Sequence, residues 1–229
     1  MDVPTLGFSP GTSTYVAMLV ALLVLASEIA RARGRVAEAD VIDAGLARAP
    51  SLARATLVAA EGPAQEAAVL VAGAPTTTFL GAGPSKASAA FGAAKLFEGP
   101  QRYGVAQDLE EWAHEQYFVS GPATPVVVVA PDGAASDRAA ELLAEMAFID
   151  APAIVVTDLD EGRLPGRIHL PVAAGVDESL SALLTCLPLA QLGFFVSERL
   201  GTRSYGFPSQ AHEREHYETI HRDTRGEPT

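Results

Sequence analysis

The sequence predicts an α/β fold: a parallel sheet covered by helices on both faces and preceded by additional helices. Three observations carry this. PVVVVA at 125–130 and AIVVT at 153–157 are short continuous apolar runs, the pattern of strands buried on both faces. From residue 76 onward such runs alternate with stretches of helical periodicity. At 229 residues, 48% of them hydrophobic, the chain can bury one large core but not two full-size domains.

The elements follow in order. Residues 15–26, YVAMLVALLVLA, form an uncharged helix preceded by hydroxyls at Ser9, Thr12, Ser13 and Thr14 that suit an N-cap. It is apolar around its whole circumference, so it needs cover on several sides, part of it from another subunit. Residues 35–49 read as an amphipathic helix stopped by Pro50; Ser51 caps the next stretch, to residue 61. Gly62-Pro63 breaks the chain again, and a weaker helix reaches residue 71. Strand 76–80, helix 85–98, strand 102–105, helix 107–116 and strand 125–130 follow. Helix 136–148, strands 153–157 and 167–170, and a long helix 178–200, bent at Pro188, complete the pattern. The reading divides the chain into an N-terminal helical segment 1–65, an α/β domain 66–206 and a polar tail 207–229.

Charge and cysteine content exclude several classes. With 28 acidic and 16 basic residues and a net charge of −12, no basic cluster is dense enough to cover a nucleic-acid backbone. Cys186, alone, forms no internal disulfide, so nothing requires an oxidising compartment. The twelve-residue apolar run is short of the roughly 20 residues a membrane span needs. It also lacks the positive n-region of a secretory signal. The expectation is a cytoplasmic protein with no membrane contact.

Three groups could carry chemistry. Gly81-Ala82-Gly83-Pro84-Ser85-Lys86 lies between a strand and a helix, where glycines, the helix dipole, Ser85 and Lys86 can hold an anion. It has neither P-loop nor GxGxxG spacing, and a tight βα turn without ligand explains it equally well. Glu111 and His114, three apart, share a helical face, as do Glu110 and His114, four apart. A carboxylate beside an imidazole suits proton transfer between adjacent sugar carbons; the plain alternative is a solvated helix anchored by Trp112. His212-Glu213-Arg214-Glu215-His216 matches HExxH, but no apolar helix frames it. His221 or Asp223 would have to serve as third ligand, without the spacing of zinc proteases. No metal is expected, nor any other cofactor; His212 and His216 fit better as groups folded over a substrate pocket.

These residues, in this order, resemble the SIS (sugar isomerase) domain family, in particular the second lobe of two-lobed phosphosugar isomerases. The likeness runs from residue 66 to 200. Its elements are the Gly81/Gly83/Ser85 loop, the Ala93-Ala94-Lys95-Leu96-Phe97-Glu98 helix, Glu111 to His114, strand 125–131 and Leu187-Pro188-Leu189-Ala190-Gln191-Leu192. The resemblance implies a three-layer, SIS-like fold around a five-stranded parallel sheet, binding to phosphosugars, and dimerisation. It makes Glu111 the base of an aldose–ketose interconversion, with Glu110 in reserve. Residues 9–30 look like the closing helix of a first lobe, so the N-terminal segment would be its remnant.

The chain departs from the family in three ways. It has no SxSGxT phosphate loop, the glycine and proline after His114 are missing, and the tail has no lysine; Lys86 and Lys95 are the two lysines of the protein. Two functions remain: an isomerase acting on a phosphosugar or aminosugar phosphate, or a non-catalytic sugar-phosphate module. The module could be the accessory half of a two-chain enzyme. Either way the expected partner is a second copy or another SIS chain.

Overall fold

The computed structural model describes residues 11–204 and 206–219. Five parallel strands form one sheet: β1 (Thr76–Gly81), β2 (Tyr103–Asp108), β3 (Val126–Val129), β4 (Ala153–Thr157) and β5 (Ile168–Pro171), in the order β2-β1-β3-β4-β5. The side chains of β3 alternate faces, as a strand requires. Val127 and Val129 join Phe79, Ile154, Val156 and Leu170 under one helical layer. Val126 and Val128 join Leu80, Val155, Trp112, Leu142, Leu143 and Met146 under the other. The first layer holds α2 (Val36–Gly73), α3 (Pro84–Glu98) and α6 (Ala182–Leu200); the second holds α4 (Leu109–His114) and α5 (Ser136–Phe148). The three-layer α/β class with five parallel strands is therefore observed.

Four local features differ from the sequence reading. Pro50 and Pro63 do not end helices: α2 runs unbroken for 38 residues, through the expected boundary at 65/66. Each proline costs one i→i−4 bond, but Ala60, Ala64, Ala67 and Ala68 are almost wholly inaccessible, and that packing keeps the helix in place. Ser51 is not a cap; its Oγ donates to the carbonyl of Arg48. The helix expected over 107–116 is shorter because β2 extends to Asp108, whose carboxylate accepts from Glu110 N and starts α4 there. After His114 the chain tightens into a 3-10 turn, Gln116–Val119. A second such turn, Glu178–Leu180, precedes α6, so the expected long helix 178–200 is divided in two.

The fourth concerns α1 (Thr12–Ala32). The helix begins at Gly11 with no side-chain cap; Ser9 lies outside the described residues. It extends six residues past the apolar run and reaches 21 residues. By length and composition α1 could cross a membrane, as could α6, so the short-run argument does not apply to the whole helix. Nor is α1 buried: Met18, Leu22, Val24, Leu25 and Ile29 are exposed. It is fixed to α2 at its far end, where Ser27 Oγ donates to Asp43 Oδ1 at 2.7 Å and Arg31 pairs with Asp40 and Asp43. These bonds, the Ser27 hydroxyl first, hold the Asp43 carboxyl below its ordinary value.

Cys186 is fully buried in α6, and burial pushes its thiol up to about 12. α7 (Gln210–Thr219) carries the tail.

Candidate functional site

Strand order 2-1-3-4-5 puts the topological switch between β1 and β3, where ligands of open α/β sheets enter at the carboxyl ends of the strands. The glycine turn stands at this edge. Gly81 pairs in register with Asp108, which places the turn beside the start of α4, and Lys86 Nζ lies 3.6 Å from Asp108 Oδ2. The sequence-expected groups Gly81, Gly83, Lys86, Glu110 and Glu111 thus share one edge of the sheet.

Packing at Gly81 and backbone conformation at Gly83 account for both glycines without a ligand. A Cβ on Gly81 would lie 2.3 Å from the Ser85 carbonyl oxygen, and Gly83 adopts φ +53°. The N–H groups of Ser85 and Lys86 donate to the carbonyls of Ala82 and Gly83, at 3.0 and 3.2 Å. Ser85 itself is buried.

Glu110 is committed to structure. Its two oxygens accept from Arg138 Nε and Nη2 at 2.6 and 3.0 Å, which ties α4 to α5 and holds its carboxyl below the usual range. His114 pairs with Glu110 at 3.3 Å, rather than with Glu111 as the i, i+3 spacing suggested. Glu111 is exposed on the first turn of α4.

His212 and His216 do not join this edge. Both rings lie against Phe207, at 5.6 and 4.8 Å between centroids. The tail is anchored by Gln101 Nε2 donating to the Gly206 carbonyl, just before β2 and so at the opposite end of the sheet. Among the described residues no cluster of three or more His, Cys, Asp or Glu could hold a metal; His221 and Asp223 lie outside them.

A different charged group stands out at that opposite end. On the last turn of α3, Lys95 Nζ contacts Glu98 Oε2 at 2.6 Å. The lysine side chain is 7% exposed and the glutamate 29%. The ammonium also sits 4.7 Å over the ring of Phe91. Two glycines make room: a Cβ on Gly193 would press on Lys95 Cβ at 3.1 Å, and one on Gly99 on Ser197 Oγ at 2.7 Å. The result is a cavity of about 270 Å³ lined by Lys95, Gly99, Ser197, Glu198, Thr202 and Ser204, among others. A buried lysine lining a hydroxyl-bearing cavity and paired with a partly exposed glutamate makes this a second candidate site. In the sequence, Lys95 and Glu98 stand within the Ala93–Glu98 motif with no role assigned to either. The available signal was a lysine set among small and apolar residues, FGAAKLF, in a chain with two lysines.

No protein-family model matches the chain. It is 31% identical over 203 residues to the glutamine–fructose-6-phosphate aminotransferase (isomerizing) of Bradyrhizobium diazoefficiens, covering 86% of this chain and 33% of that protein. To the corresponding enzyme of Caulobacter vibrioides it is 28% identical, over 85% of this chain and 32% of the enzyme. The chain spans about a third of the length of these curated relatives. Among solved structures, the C-terminal domain of glucosamine-fructose-6-phosphate aminotransferase from Francisella tularensis superposes with a TM-score of 0.78 at 22% identity, covering 85% of this chain and 56% of that one. The sugar isomerase domain of an RpiR transcription factor from Sphaerobacter thermophilus gives 0.58 at 19%, covering 69% and 89%. The chain has the SIS fold, and its sequence resembles the isomerase part of the glutamine–fructose-6-phosphate aminotransferases.

Proposed function

We propose that the chain is a phosphosugar isomerase-like protein, moving a proton between C1 and C2 of an open-chain sugar or aminosugar phosphate. The observation that supports this most is the Lys95–Glu98 pair at its hydroxyl-lined cavity. Glu98, partly exposed and paired with the cavity-lining Lys95, takes the proton from the carbon beside the carbonyl and returns it to the neighbouring carbon. Lys95 positions Glu98 through their 2.6 Å contact and offers positive charge to the enediolate oxygen that forms between the two transfers. Neither step calls for a metal or cofactor. Glu111, which the family resemblance points to, is the alternative base, with His114 beside it at the switch-point edge and Glu110 held by Arg138.

A second reading is a sugar-phosphate-binding module without turnover. It is favoured by the lack of an SxSGxT-type phosphate loop in these 229 residues. In both readings the apolar face of α1 packs against a second copy or another SIS lobe, and the protein works in the cytoplasm.

Turnover and calorimetric binding of hexose and hexosamine phosphates test these readings together. Glu98→Gln should abolish turnover and spare binding, while Glu111→Gln keeps turnover. Full activity in Glu98→Gln rejects Glu98 as the base, and loss confined to Glu111→Gln assigns the base to α4. Binding by the wild-type chain with no turnover supports the module.

A further inference from the structure

The turn between β3 and α5, residues 131–136, forms the other wall of the switch-point crevice. In an open α/β sheet this is where the phosphate of a ligand meets backbone N–H groups. Here two carboxylates of the chain already occupy them. Asp132 N donates to Asp158 Oδ1 at 2.8 Å, and Ala134 N donates to Glu178 Oε2 at 3.1 Å. Glu178 lies directly on the turn: a Cβ on Gly133 would stand 2.3 Å from its Cδ and 2.6 Å from each carboxylate oxygen. Its own position is fixed by the 3-10 turn Glu178–Leu180, whose cap Asp177 accepts from both Ser179 N and Ser179 Oγ.

We propose that Glu178 is an internal stand-in anion that closes the β3–α5 turn of this chain to phosphorylated ligands. An incoming phosphate would need the space the carboxylate fills and would meet its negative charge within a few ångströms. The phosphate of any sugar phosphate bound by this chain is therefore held elsewhere. This does not depend on whether Glu98 or Glu111 is the base, nor on whether the protein turns over substrate.

The test is a titration of the full ¹⁵N-labelled chain with inorganic phosphate at constant ionic strength, following the amide resonances of Gly133 and Ala134. In the wild type these should show no saturable shift across the millimolar range. In Glu178→Ala, or Glu178→Ser if the alanine variant does not fold, they should titrate with an affinity at least about tenfold higher. Saturable wild-type shifts at Gly133 and Ala134 overturn the proposal. So does a folded Glu178 variant that gains no phosphate binding there.

Discussion

Gly92 of α3 lies flat on Phe79 of β1: a Cβ on the glycine would stand 2.7 Å from Phe79 Cδ1 and 3.2 Å from a methyl of Leu189. The helix is seated on the first strand at this point, and the strand leads into the switch-point turn.

Gly92→Ala should therefore destabilise the fold by overpacking, by about 1–3 kcal/mol, although alanine is the better helix former. Urea unfolding followed by circular dichroism measures it. A stability gain would mean that α3 stands off the sheet.

Trp112, the one tryptophan, is fully buried and T-shaped to Tyr117, with its indole N–H unpartnered. Trp112→Ala should cost about 3–5 kcal/mol. Trp112→Phe, which removes the unsatisfied donor and keeps most of the ring, should cost less than about 1.5 kcal/mol. Chemical denaturation of both variants checks the difference.

Lys95 and Glu98 should behave as a unit. Either neutralisation alone strands a buried charge and should cost about 2 kcal/mol, less than for a fully buried pair because Glu98 keeps some water. The double variant Lys95→Met/Glu98→Gln should recover most of that loss. A double-mutant cycle with additive losses would show that the two charges are independent.

The α1–α2 hairpin should be acid-sensitive. The Asp43 carboxyl is held low by Ser27 and Arg31, so its folded pKa lies below its unfolded one, about 3.9. The stabilisation is complete above that unfolded value and is lost as pH falls through the folded one. Asp43→Asn should remove this part of the pH dependence, read as hydrogen exchange of α1 between pH 6 and 3.

The exposed apolar face of α1 should mediate association. Leu22→Glu with Leu25→Glu should shift the protein toward monomer in sedimentation at micromolar concentration and leave its circular dichroism intact. A wild-type chain that is already monomeric would reject the interface.

The sheet was legible because PVVVVA and AIVVT are short, β-branched apolar runs next to prolines, the pattern of doubly covered strands. The N-terminal helices were read wrongly at Pro50 and Pro63, because local chemistry cannot report that a row of alanines packs tightly enough to carry a helix across two missing N–H groups. The glycine turn was located correctly, yet both glycines answer to packing and backbone conformation. Glu110 and Glu111 are adjacent in sequence, and what separates them is Arg138, 28 residues away, which no spacing rule supplies. Lys95 and Glu98 were visible as residues but not as a site, since the cavity beside them comes from Gly193 and Ser197 on a helix a hundred positions later.

Cys186 has one practical consequence. It is buried in α6 and burial pushes its thiol up to about 12, so near neutral pH it should be unreactive toward thiol-directed reagents. A cysteine introduced on the exposed side of α1 or at the mouth of the Lys95 cavity would react alone. Paired spin or fluorescent labels could then follow both regions in the otherwise native chain.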